Sequence, residues 1–164
     1  MTFRISAARP QDVGIVVDLV RQLAEYEKLS HLVVATEAQV RDELFGPRPV
    51  IECVLCWEGE GEGARPVGFA LYFHNFSTFL ARRGIYLEDL FVVPAARGRG
   101  CGKALLRHVA RLAVERGCGR FEWSVLNWNQ PALDFYRRLG AVPMSEWQIQ
   151  RVTGEALLRL AGQK

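Results

Sequence analysis

The spacing of apolar residues along this chain changes several times, and each change marks an element. Phe3 to Ala7 alternates apolar and polar positions and predicts a first strand. Arg9-Pro10 opens a helix, because proline is tolerated in a first helical turn. Val13, Val16, Val17, Val20, Leu23 and Ala24 then recur at helical spacing, giving one apolar face that runs to Tyr26 or Lys28. Thr36-Glu37-Ala38-Gln39 is a capping-box pattern and starts a short second helix ending near Phe45, before Gly46-Pro47-Arg48-Pro49 breaks it. Val50–Trp57 and Val67–His74 read as strands on either side of an acidic, glycine-rich turn, so they form an antiparallel hairpin. Asn75–Arg83 carries no single period.

Ile85–Val93 is a fourth strand, rich in β-branched and aromatic residues, with Glu88 and Asp89 adjacent in its middle. Pro94 ends it, since proline has no N–H to donate to a ladder. A helix follows from Lys103 to Arg116, with Leu105, Val109, Leu112 and Ala113 on one side, and Gly117 and Gly119 terminate it. Phe121–Leu126 is a fifth strand. Asn129 caps a further helix with Pro131 just inside it, ending before Gly140. One more strand is expected within Ala141–Val152 and a short helix within Gly154–Lys164. The helix between strands four and five makes that pair parallel, with a right-handed crossover. The prediction is an α/β fold: a mixed sheet with helices on both faces. No repeat, linker or low-complexity tract interrupts it, so residues 1–164 read as one domain.

Composition narrows the picture only a little. The 164 residues are 49% hydrophobic and 24% charged, as in an ordinary globular protein with a real core. A net charge of +3 is too mild to argue for nucleic acid, and there is no stripe of aromatic and basic residues. It suits an anionic ligand held at one local basic site. No apolar run has the length of a membrane span, and Met1-Thr2-Phe3-Arg4-Ile5 lacks the pattern of a signal peptide. A cytoplasmic protein without membrane or nucleic-acid partners is the expectation, with Cys53, Cys56, Cys101 and Cys118 as thiols. Cys53 and Cys56 lie three apart in a strand, hence on opposite faces, which makes a poor metal clip. His31, His74 and His108 are scattered. No metal is expected.

The chemistry concentrates between the fourth strand and the helix after it. Arg97-Gly98-Arg99-Gly100-Cys101-Gly102 is a glycine-alternating turn, and Lys103 follows. A strand feeding such a turn at a helix N-terminus offers free backbone N–H groups and a positive helix dipole, a place to hold phosphate. It is not a nucleoside triphosphate loop: Arg97 stands where that motif needs its first glycine, and Ala104 where it needs Ser or Thr. The dinucleotide fingerprint also fails on its spacing. A pyrophosphate cradle flanked by Arg97, Arg99 and Lys103 remains, or else a turn whose glycines only supply positive φ. A thiolate at Cys101 is favoured by the helix N-terminus, although a small loop residue is the simpler reading.

The run L-E-D-L-F-V-V-P-x-x-R-G-R-G-C-G-K-A-L-L, followed by V-L-N-W-N-Q-P-A-L-D-F-Y-R-R-L-G-A at 125–141, resembles the GNAT family of acetyl-CoA-dependent N-acetyltransferases. The order of elements fits over the full length. Leu23-Ala24-Glu25-Tyr26-Glu27-Lys28-Leu29, Phe45-Gly46-x-x-Pro49, Tyr86-Leu87-Glu88-Asp89 and Trp128-Asn129-Gln130 resemble its diamine (spermidine/spermine) and thialysine acetyltransferase group. The run L-A-E-Y-E-K-L-S, Gly117-Cys118 and the tail G-E-A-x-x-R-L-A-G lean toward the thialysine branch.

This resemblance implies a mostly antiparallel mixed sheet whose parallel strands four and five splay apart. It also implies direct acetyl transfer from acetyl-CoA to a small-molecule primary amine, without a covalent acetyl-enzyme, in a homodimer using the C-terminal strand. Glu88 is the implied base, acting through a water, and Tyr136 the implied acid for the coenzyme sulfur. Leu90, Phe91 and Val92 would offer backbone to the thioester and pantetheine. Arg97, Gly98, Arg99, Gly100, Cys101, Gly102 and Lys103 would hold pyrophosphate. Asn129, Gln130, Pro131 and Ala132 would touch the coenzyme as well. Tyr26, Glu27, Glu88 and Asp89 form an acidic set for a cationic amine if the first helix lies over the fourth strand. Arg82 and Arg83 suit a substrate with a carboxylate, such as thialysine, better than a long polyamine. Two alternatives stay open: a non-catalytic coenzyme A-binding or sensing domain, and a protein N-acetyltransferase.

Overall fold

The alternating segments form five strands: β1 Phe3–Ala7, β2 Glu52–Glu58, β3 Arg65–Ser77, β4 Arg82–Val92 and β5 Phe121–Trp123. They lie in the order β1-β2-β3-β4-β5 in one sheet. The first three junctions are antiparallel and β4–β5 is parallel. The described residues also form five α-helices: α1 Val13–Tyr26, α2 Glu37–Phe45, α3 Cys101–Glu115, α4 Gln130–Arg138 and α5 Gly154–Leu160. This computed structural model describes residues 3–163. Met1 and Thr2, in the stretch without a signal pattern, and Lys164, at the end of the expected tail helix, lie outside the described residues. The chain divides into two compact units, the first ending at Ser124 and the second starting at Val125.

In the first unit, helical periodicity decides which face each element buries. Val16 and Leu19 of α1 and Leu44 of α2 pack on Cys53, Leu55, Trp57, Phe69, Leu71 and Phe91 of the sheet. Removing these side chains from water, at roughly 25 cal/mol per Å², is the main drive for this face. Leu105, Leu106, Val109 and Ala113 of α3 are buried as well, and α3 packs against β1 to β4. Because β2 side chains alternate, Cys56 belongs to the face opposite Cys53. The capping box at α2 forms as its sequence predicts: Thr36 Oγ1 accepts from the Gln39 amide at 3.3 Å.

Three departures from the sequence reading bear on the architecture. Asn75–Arg83 is not a separate loop: it completes β3 and begins β4 around a turn at 78–81, in which Ala81 has φ of 49°. Its arms are held by the ladder rather than by their own apolar pattern, with Asn75 opposite Gly84 and Ser77 opposite Arg82. β5 stops at Trp123 instead of Leu126, because its ladder with β4 ends at the Leu87–Trp123 pair. In the second unit the expected strand within Ala141–Val152 is absent among the described residues. A strand needs a ladder to satisfy its backbone, and no described strand pairs with this segment. Its apolar side chains stay in solvent, Val142 at 78% and Trp147 and Ile149 at 73% exposed.

Gly68 of β3 lies where the sheet passes under the start of α3. A Cβ at this position would stand 2.6 Å from the Phe91 carbonyl oxygen and 3.2 Å from Cys101 Sγ. Gly68→Ala should therefore cost about 1–3 kcal/mol through overpacking. Chemical denaturation checks this: an unchanged midpoint would mean that the backbone gives way freely.

Candidate functional site

The β3–β4 ladder carries one irregularity. Leu71 pairs with Asp89 and Tyr72 with Leu87, so Glu88 is an extra residue without an opposite number. Such a β-bulge re-aims the strand and ends regular pairing. The β4–β5 ladder ends at Leu87, one residue before the bulge. The parallel pairing of strands four and five is therefore present but short, and it stops where the bulge at Glu88 begins. Leu90, Phe91 and Val92 continue β4 beyond the end of that ladder.

The two adjacent acids meet different surroundings, as neighbours on a strand do. Glu88 is exposed, while Asp89 is half-buried. Asp89 pairs with Leu71, and directly paired residues share a face of the sheet. It is thus on the face covered by α1. Burial, and then the negative charges of Glu88 and Glu27, push the Asp89 carboxyl up to about 7. Glu27, the residue that caps α1, is raised by burial too. Tyr26 closes the same group: the Arg97 guanidinium lies 4.4 Å from its ring centre and 5.5 Å from that of Phe91. Arg97 Nε also donates to the Val92 carbonyl at 2.9 Å. Tyr26, Glu27, Asp89, Phe91, Val92 and Arg97, from three separate stretches of sequence, are thereby brought together.

The turn before α3 has the geometry of an anion cradle. Gly98 and Gly100 have φ of 74° and 96°, and a Cβ at either would project into open space. Gly100 occupies the N-cap of α3 without a side-chain cap. The first N–H groups of this helix are therefore left to an external acceptor, at the positive end of the dipole. A pyrophosphate fits that donor set, and Gly102 and the exposed Lys103 sit in the first turn beside it. Cys101 departs from this group: its side chain is 1% exposed and turned inward to Gly68.

Arg99 also faces elsewhere. It pairs with Glu58 on β2 and donates to the Ala95 carbonyl at 2.9 Å. Arg65 reaches the other Glu58 oxygen at 2.7 Å. The Arg65 guanidinium, followed by that of Arg99, holds the Glu58 carboxyl below the usual carboxylate range. Glu58 is buried, and sequence reasoning missed it because it opens the acidic Glu-Gly turn and reads there as a solvated charge. Only its cross-sheet partners reveal an anchor for the glycine loop.

In the second unit, Asn129 caps α4 as its sequence predicts, accepting from the Ala132 amide at 3.3 Å. Gln130, Pro131 and Ala132 form the first turn, and Gln130 donates to Asp134 at 2.8 Å. Tyr136 lies in the last turns of α4 with its ring 5.3 Å from that of Phe135. Among the described residues, no group of three or more His, Cys, Asp or Glu side chains could hold a metal ion, and no helix is long and apolar enough to cross a membrane.

A sequence model of the Acetyltransferase (GNAT) family matches residues 18–141. The chain is 40% identical to a thialysine N-epsilon-acetyltransferase of Mus musculus, covering 97% of each. It is 34% identical to an L-ornithine N5-acetyltransferase of Arabidopsis thaliana, over 96% of this chain and 87% of that one. Among solved structures, an integron cassette protein from the mobile metagenome of V. cholerae superposes with a TM-score of 0.77 at 27% identity, covering 98% of both chains.

The raised pKa of Asp89 has a consequence for stability. A carboxyl that holds its proton more tightly when folded contributes stability below its unfolded pKa and loses it as pH rises through the folded value. For Asp89 that window runs from about pH 4 to about pH 8. Asp89→Asn should melt with the parent near pH 4 and above it near pH 8, by at most roughly 4 kcal/mol. Melting curves at the two pH values test this; equal differences at both would remove Asp89 as the titrating group.

Proposed function

This chain belongs to the GNAT acetyltransferase family and is an N-acetyltransferase, and we propose that it acetylates the terminal amine of a small, lysine-like amino acid of the thialysine type, with acetyl-CoA as donor. The observation that carries the choice of an amine is the pair Glu27 and Asp89. Both carboxyls are raised by burial, and Asp89 also by the charge of Glu27. An ammonium group relieves that repulsion and draws both toward their charged forms. The observation that favours an amino acid over a polyamine is Arg97 on the Tyr26 ring. A fixed positive charge at the rim repels a second ammonium and attracts a carboxylate. Arg82 and Arg83 do not serve this purpose, since they begin β4, five or six residues, about 20 Å, from Glu88. The near-full-length similarity to a thialysine and an ornithine acetyltransferase agrees with this choice.

Acetyl-CoA, when bound, supplies the acetyl group as an activated thioester. The loop from Gly98 to Lys103 would hold its pyrophosphate by backbone N–H groups, with Arg99 fixing the loop and Asn129 to Ala132 adding contacts. The backbone of Leu90 to Val92, free of a β5 ladder, would orient the acyl arm and offer an N–H to the developing oxyanion. An amine of pKa about 10 must lose a proton before it attacks. Glu88, exposed at the bulge, would take that proton through a water. Tyr136 Oη would return one to the departing sulfur. No residue of the set need be acylated, so both reactants are held at once and the gain comes from their orientation. The cellular setting of this reading is the cytoplasm, and its assembly a homodimer. The exposed Val142, Met144, Trp147 and Ile149 form an apolar run suited to a second copy.

The deciding experiment is kcat/KM with acetyl-CoA across lysine analogues, ornithine, diamines and polyamines. Carboxylate-bearing amines should lead, and Arg97→Ala should narrow the gap by raising their KM. A parent enzyme that prefers spermidine would overturn the substrate class. Tyr136→Phe should lower kcat by about 10²-fold with the KM for acetyl-CoA little changed. Glu88→Gln should lower the rate most at low pH, where free amine is scarce, whereas a pH-independent loss would assign Glu88 to binding.

A further inference from the structure

The glycine loop and the start of α3 are seated on β2 by two side-chain pairs in step. Glu58 meets Arg99, and two residues back along β2 Cys56 meets Cys101. Gly68 pairs directly with Cys56, so the side chain of Cys56 and the empty Cβ position of Gly68 share one face. Cys101 Sγ stands 3.2 Å from that position. It therefore occupies the place of a cross-strand neighbour's side chain, where β-carbons lie about 4.5–5.5 Å apart. The proximity of the two thiols lowers the pKa of Cys56 and raises that of Cys101. Cys53 belongs to the opposite face, and Cys118 follows the far end of α3. The proposed acetyl transfer uses neither Cys56 nor the sulfur of Cys101.

We propose that Cys56 and Cys101 are an oxidation site, a buried dithiol that a peroxide closes to a disulfide, tying the glycine loop to β2. The Cys56 thiolate attacks one oxygen of hydrogen peroxide and the O–O bond breaks; the sulfenic acid stays, and the departing hydroxide takes the proton that the Cys56 thiol had released and leaves as water. Cys101 sulfur then attacks the Cys56 sulfur, the S–O bond breaks, and a second water leaves with the Cys101 proton. Two thiols lose two electrons and one peroxide gains them. Both side chains are at most 1% exposed, so the oxidant enters when the exposed loop at Gly98–Gly100 lifts. The new bond is shorter than the thiol contact that it replaces and draws the N-terminus of α3 toward β2.

The test uses the full chain freed of coenzyme A. It is treated with hydrogen peroxide, alkylated in denaturant without reductant, and mapped by mass spectrometry. The expected product is a cross-linked peptide joining Cys56 to Cys101, lighter by two hydrogens, with two of the four thiols lost and regained with dithiothreitol. Cys118→Ser should give the same product, and Cys56→Ala should give none. Recovery of both Cys56 and Cys101 as alkylated thiols while another cysteine oxidises overturns the site, and so does a cross-link to Cys53 or Cys118. The effect on ligand rests on the proposed function and is read separately, as coenzyme A affinity of the Cys118→Ser protein before and after closure. The closed form should bind roughly tenfold more weakly, about 1.4 kcal/mol. Equal affinity overturns the clamp, whereas a reduced form that ignores coenzyme A overturns the acetyl-CoA reading and leaves the disulfide standing.

Discussion

One extra residue in the β3–β4 ladder governs the arrangement of this molecule. With Leu71 opposite Asp89 and Tyr72 opposite Leu87, Glu88 has no cross-strand partner. A strand cannot absorb an unpaired residue and continue straight, so β4 turns there and its parallel ladder with β5 ends after Leu87. The two neighbouring acids at this point meet different surroundings. Glu88 goes to solvent and Asp89 to the face under α1.

A second constraint is the seating of the glycine loop. Free backbone N–H groups bind an anion only if the loop keeps its shape without it. Glycine supplies the positive φ but not rigidity. The rigidity comes from outside the loop: a buried carboxylate on β2 holds Arg99, the Cys101 thiol rests in the space left by Gly68, and Arg97 is fixed between Tyr26 and Val92. Two of the loop's arginines are therefore struts of the fold. This links the anion cradle to the acidic group at the end of α1 through a single side chain, Arg97.

Burial of like charges is unfavourable unless something compensates it. Asp89 carries that cost, since burial and then the charges of Glu88 and Glu27 push its carboxyl up to about 7, while burial alone raises that of Glu27. A cationic ligand is the natural compensation, since it converts a repulsive pair into an attractive one. The arrangement costs stability at neutral pH, and perturbed carboxyls of this kind cluster at functional sites.

The sequence by itself determined the element types, the parallel fourth and fifth strands, the capped helices and the glycine turn, because these depend on local period, caps and φ preferences. It also carried the family through two spaced motifs. What it could not determine depends on partners distant in the chain. The bulge at Glu88 exists only relative to β3, because nothing in L-E-D-L says which residue will lack a partner. The ambiguity of Asn75–Arg83 was resolved by a ladder, and the strand expected within Ala141–Val152 did not form among the described residues because no ladder was offered. Glu58 became an anchor and Cys101 a core residue through contacts with Arg99 and Gly68 that lie tens of residues away. Periodicity reports which face of an element is apolar; only tertiary structure decides what that face, or an extra residue in it, will meet.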